Sequence, residues 1–126
     1  MILIGHPWIE SETFCRAYSI DDIKNSDPSQ TILLEPLVDT HKLAAYCHQN
    51  RIPYAVVINS LDEAIYANAL GAKYVICDED TALMVQPVAN EYLFDTKVLV
   101  LIKSEKEVSK IARSGIDGVV FGTAIC

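Results

Sequence analysis

A chain of 126 residues is the size of one domain, and 51% hydrophobic against 21% charged residues is the balance of a folded core, which excludes disorder. Ten Lys and Arg stand against 17 Asp and Glu, with no basic run, so the electrostatic footprint of a nucleic-acid binder is missing. The longest apolar runs, such as Val98 to Ile102, are shorter than the about 20 residues of a bilayer span, and the four cysteines form no CxxC pair. The expectation is a cytoplasmic protein with reduced thiols and no membrane or nucleic-acid partner.

Residues 1–30 are irregular. MILIG reads as a strand, FCRAYS as a candidate second strand, and DDIKNSDPSQ as a short turn of helix with a polar loop. Trp8 and Phe14 in this stretch read as cover for a core or an interface.

From residue 31 to 126 the pattern becomes a succession of βα units within the same single domain. TILLEPL leads into DTHKLAAYCHQNR, YAVVI into LDEAIYANALG, and YVIC into TALMVQPVANEYL; KVLVLI then leads into EKEVSKIARSG, and GVVFG follows. Ser60 to Glu63 and Ser104 to Glu107 each match a capping box, in which side chains satisfy the unpaired amides that open a helix. Gly71 and Gly115 stand where helices should stop, and Pro53 blocks continuation of the helix before it. Pro87 predicts a kink or break in the fourth helical stretch. Asp80 or Thr81 reads as the cap of that stretch.

Apolar runs that are continuous rather than alternating mean that both faces of each strand are covered, which is the mark of a parallel sheet with right-handed crossovers. The predicted fold is therefore three-layered α/β with a mostly parallel sheet of five or six strands, flavodoxin-like or half-barrel in arrangement. An open sheet with a long exposed edge would favour pairing into a homodimer.

Gly71-Ala72 before a strand, Ser114-Gly115 at a helix end, and Asp117-Gly118-Val-Val-Phe-Gly122-Thr-Ala-Ile as the terminal strand together resemble the last βα units of phosphate-binding (β/α)8 barrels of the indole-glycerol-phosphate synthase and thiamine-phosphate synthase type. The resemblance implies a phosphate held by backbone amides after the last two strands. This sequence departs at both places. Leu101-Ile102-Lys103-Ser104 lacks the glycine pair, and Cys126 follows Gly122 too closely for a final helix of ordinary length. Gly122 is accordingly expected to permit close packing at a strand end.

In a parallel α/β sheet ligands bind outside the carboxyl ends of the strands. That rule selects Glu35, Asn59, Asp78 with Glu79 and Asp80, Lys103, and Gly122 with Thr123; His6 follows the first strand and joins them as a ligand-binding candidate. Lys103 is the candidate amine for a Schiff base or an anion clamp, with Asp78 or Glu35 as its acid–base partner. The acidic cluster offers oxygen ligands for a divalent cation, but helix capping accounts for the same residues, so neither metal nor cofactor is called for. Cys77 and Cys126 read as small buried hydrophobes. The functional expectation is a non-catalytic binding or assembly module acting as a homodimer, with a small anionic metabolite as possible ligand. The alternative is a lyase or isomerase of a small phosphorylated or carboxylated metabolite.

Overall fold

Each apolar run becomes a strand and each amphipathic stretch a helix in the computed structural model, which describes residues 1–126. In chain order the elements are β1 (Ile2–Ile4), β2 (Phe14–Arg16), α1 (Ile20–Lys24), β3 (Thr31–Leu34), α2 (Leu37–Gln49), β4 (Tyr54–Val57) and α3 (Leu61–Ala69). There follow β5 (Tyr74–Cys77), α4 (Glu79–Glu91), β6 (Lys97–Ile102), a 3-10 turn (Glu105–Glu107), α5 (Val108–Arg113), β7 (Gly118–Phe121) and a second 3-10 turn (Gly122–Ala124).

The sheet is wholly parallel, has seven strands rather than five or six, and runs in the order β1-β7-β6-β5-β4-β3-β2. MILIG, read as a strand, becomes β1, and the seventh strand is Phe14–Arg16 within the candidate FCRAYS; each has only three residues. β1 lies beside β7, with Ile2 opposite Gly118, and β2 lies beside β3, with Phe14 opposite Thr31.

Alternation along each strand sorts the core into two parts. One cluster gathers Ile32, Val56, Val75, Val98 and Val119 with residues of all five helices, among them Ile23, Cys47, Ala64, Val85 and Ile111. The other joins Ile4, Phe14, Leu33, Ala55, Tyr74, Ile76, Leu99 and Val120, drawn from every strand, with Ala124. The helices thus cover a single face, and the other face is filled by the sheet's own side chains. This is the half-barrel arrangement and not the flavodoxin-like one, in which helices occupy both faces.

The curl brings the two ends of the sheet together. The Cys126 N–H donates to the Phe14 carbonyl at 2.9 Å, and Arg16 N–H donates to the Cys126 carbonyl at 3.5 Å, with Phe14 and Ile125 forming a parallel bridge. Residues 125–126 therefore lie along the outer edge of β2, while β1 pairs with β7 alone. Gly5 sits against the same segment, its carbonyl accepting from the Thr123 hydroxyl at 3.4 Å.

The strands' amino ends are sealed by Glu12. Its carboxylate accepts from the hydroxyls of Thr31 and Tyr74 and from Lys73 Nζ at 3.2 Å. Burial disfavours its charge, but the hydrogen bonds from Thr31, Tyr74 and Lys73 outweigh that and hold the carboxyl below its ordinary value. Above it the Tyr74 ring meets Phe14 edge to face, with centroids 5.8 Å apart.

Helix ends follow the sequence closely. Gly71 and Gly115 take positive φ of 85° and 75° after α3 and α5, as a left-handed helix terminus requires. Ser60 Oγ accepts from the Glu63 N–H at 3.2 Å, while the Glu63 carboxylate reaches one residue further back, to the N–H of Asn59. At Ser104 the reciprocal box forms, over a 3-10 turn that precedes α5. The α4 cap is Asp78, earlier than the expected Asp80 or Thr81, because its side chain accepts from Thr81 N–H at 2.8 Å. Pro87 lies within α4, which continues from Glu79 to Glu91 without a break. Its ring is on the exposed side, where the missing N–H leaves no buried carbonyl to satisfy.

Candidate functional site

A parallel sheet presents all its carboxyl ends at one rim, so the residues immediately after the strands converge whatever their separation in sequence. A cavity of about 240 Å³ opens at this rim. Its floor is apolar, from Leu33, Val57, Ile76, Leu101 and Ile125, and its polar lining is Arg16, Glu35, Asn59 and Asp78. Three of the sequence-selected residues, Glu35, Asn59 and Asp78, are therefore brought together by β3, β4 and β5.

Arg16 is the residue that the sequence did not single out. It ends β2, where its Nε donates to the Glu35 carboxylate at 3.1 Å and Nη1 donates to the Cys126 carbonyl at 3.2 Å. The Arg16 and Glu35 side chains are 41% and 40% exposed, so the pair is open to a competing ligand. The guanidinium's planar fork keeps further donors free for a carboxylate or phosphate. The available signal was its place as the basic residue within FCRAYS, a candidate strand to which the strand-end rule was not extended.

Asp78 contributes to the rim with its carboxylate already engaged. The backbone N–H and then the hydroxyl of Thr81 hold it below the usual carboxylate range, so it is a fixed acceptor and a poor proton carrier. Cys77, one residue earlier, is buried and its thiol is pushed up to about 12 by burial, with the Asp78 charge adding to it.

Lys103, Gly122 and Thr123 line an adjoining hollow of about 370 Å³ with Leu101, Ile102 and Phe121. Leu101 of β6 lines both hollows, so the two adjoin along the rim. Lys103 is exposed, and its backbone N–H donates to Glu107 at 3.2 Å as part of the helix cap. A Cβ built on Gly122 meets nothing within 4 Å, so close packing is not what this glycine provides, contrary to the expectation. That role belongs to Gly118, against which Ile2 and Leu99 are packed. A turn of 3-10 helix does begin at Gly122.

His6 is held on both ring nitrogens. Nδ1 accepts from the Trp8 N–H at 3.1 Å, which assigns the proton to Nε2, and Nε2 donates to Glu105 at 3.2 Å. The imidazole also meets Phe121 edge to face at 5.8 Å. An imidazole with both nitrogens engaged positions the β1 end against the turn after β6 and offers no free base. Trp8, expected to cover a core or an interface, is 89% exposed and so covers no core, whereas Phe14 is wholly buried. Cys126 is exposed rather than buried.

No group of three or more His, Cys, Asp or Glu side chains is placed to hold a metal ion, and no helix is long and apolar enough to cross a membrane. No family model and no curated protein matches the chain.

Proposed function

We propose that the chain is a non-catalytic binding module whose rim cavity takes a small metabolite carrying an anionic group for Arg16 and hydrogen-bond donors for Glu35 and Asp78. The observation that carries this reading is the convergence of Arg16, Glu35, Asn59 and Asp78 from four successive strand ends over an apolar floor. Size and chemistry agree: the cavity is at or below the small end of ligand pockets, and a few polar groups above an apolar base orient a compact ligand. Two carboxylates beside one guanidinium favour a ligand of mixed charge over a polyanion.

The lyase or isomerase alternative needs Lys103 beside Glu35 or Asp78; Lys103 lines the adjoining hollow, which meets the cavity at Leu101, and no hydrogen bond or ion pair joins it to either carboxylate.

The test is thermal-shift and calorimetric titration with small amino acids, hydroxy acids and sugar phosphates, alongside native mass spectrometry of the protein as purified. A compound that binds the wild type should bind Arg16→Ala at least about tenfold more weakly, a loss of about 1.4 kcal/mol, and Lys103→Ala unchanged. Binding lost in Lys103→Ala and retained in Arg16→Ala overturns the assignment in favour of the lyase or isomerase reading. A protein that carries no ligand and responds to none of the compounds overturns the binding reading itself.

A further inference from the structure

The two backbone hydrogen bonds that tie the last residues to β2 also align two thiols. Phe14 C=O accepts from Cys126 N–H and Cys126 C=O accepts from Arg16 N–H, so the pair of bonds brackets Cys15 and sets it directly opposite Cys126 in a parallel ladder. Residues so paired project to the same side of the sheet. Neighbouring strands lie about 4.8 Å apart, within the Cα separation of about 4.4–6.8 Å that a disulfide spans without backbone movement. Cys126 is exposed and Cys15 partly so, while Cys47 and Cys77 are buried on the helix-covered face. The Cys15 thiol is raised above its ordinary value first by a hydrogen bond with Cys126, in keeping with sulfurs in mutual reach.

We propose that Cys15 and Cys126 are a dithiol oxidation site, forming a reversible intrachain disulfide with a hydroperoxide and so locking the two ends of the curled sheet together. The exposed Cys126 sulfur attacks a peroxide oxygen as its thiolate; the O–O bond breaks, the departing alkoxide or hydroxide takes up a proton and leaves as the alcohol, or as water when the oxidant is hydrogen peroxide, and a sulfenic acid remains. The Cys15 sulfur then attacks that sulfur, the S–O bond breaks, and a water leaves. Two thiols are oxidised by two electrons to one disulfide, and one hydroperoxide is reduced by the same two electrons. Arg16 and Ile125, the neighbours of the two cysteines, line the rim cavity, so the bond fixes one wall of it. Its formation does not rest on what the cavity holds.

The ring closed by this bond takes in nearly the whole chain, so the unfolded state is strongly constrained by it. The experiment is treatment of the fully reduced protein with one equivalent of hydrogen peroxide, read by intact mass, non-reducing peptide mapping and melting temperature. The expected product is a monomer lighter by two hydrogens, with the Cys15 and Cys126 peptides joined. Its melting temperature should be higher by on the order of 10 °C and return to the starting value with dithiothreitol. Cys15→Ser and Cys126→Ser should each show neither the hydrogen loss nor the rise, and the Cys47→Ser/Cys77→Ser double variant should show both. Oxygen adducts without hydrogen loss, an intermolecular crosslink, a link through Cys47 or Cys77, or a crosslinked monomer that melts no higher each overturn the proposal.

Discussion

Ile2 lies against Gly118 so closely that a Cβ on the glycine would overlap the Ile2 carbonyl oxygen, with Leu99 Cδ2 only 2.9 Å away on the other side. The contact fixes the pairing of the first strand with the last. Gly118→Ala must push β1 off β7 or displace Leu99, and should cost about 2–3 kcal/mol in urea unfolding. Gly122→Ala, with open space around it, should change stability by less than about 0.5 kcal/mol. Equal effects at the two glycines would contradict this account of the β1–β7 contact.

Glu12 makes stability depend on acid pH. Its folded pKa is depressed from the ordinary 4.5, so its contribution is fully present above that value and is lost as pH falls through the lower folded value. Glu12→Gln should lose about 1–2 kcal/mol at neutral pH, as a charged acceptor of three donors is replaced by a neutral amide. The gap between wild type and variant should narrow as the pH is lowered below 4.5. Denaturant midpoints across the acid range measure it, and a gap that widens toward low pH reverses the sign argued here.

Tryptophan fluorescence should be nearly silent to unfolding. The chain has one Trp, and Trp8 is 89% exposed in the folded state. Its native emission is expected to be that of a hydrated indole and to be quenched freely by acrylamide. A large red shift on denaturation would place the indole in a buried contact instead.

Thiol labelling should divide the cysteines into two classes. Burial pushes the Cys47 thiol up to about 11 and the Cys77 thiol up to about 12, so neither supplies thiolate at mildly alkaline pH. Iodoacetamide should modify Cys126 first in the reduced native protein and leave Cys47 and Cys77 untouched until the chain unfolds. Mass spectrometry with peptide mapping gives the order directly.

The strands β3 to β7 were legible because each is buried on both faces and reads as an unbroken apolar run, and because serines and glycines mark the helix ends. The kind of cover was not legible. An apolar side chain such as Leu33 is equally suited to meet a helix or to meet Phe14 and Tyr74 across a curled sheet, so the sequence did not distinguish the half-barrel from the flavodoxin-like arrangement. Closure rests on backbone bonds between Phe14, Arg16 and Cys126, and backbone groups carry no sequence signal. Glu35, Asn59 and Asp78 were found by the strand-end rule, and Arg16 was missed because the rule was not extended to FCRAYS, a candidate strand within the irregular residues 1–30. Lys103 obeyed the same rule and lines the adjoining hollow, which meets the cavity at Leu101 of the same strand.

The neighbour of the first strand is the last one, and the outer edge of the second is completed by residues 125–126. During synthesis Ile2–Ile4 therefore has no sheet partner until Gly118–Phe121 has emerged. These contacts close the largest loops the chain allows, so they form late and at high entropic cost. The inner cluster draws on every strand, so it is incomplete until they form. The units from β3 onward can meet their neighbours in the order they are made, whereas the inner cluster is complete only once the first and last strands are both in place.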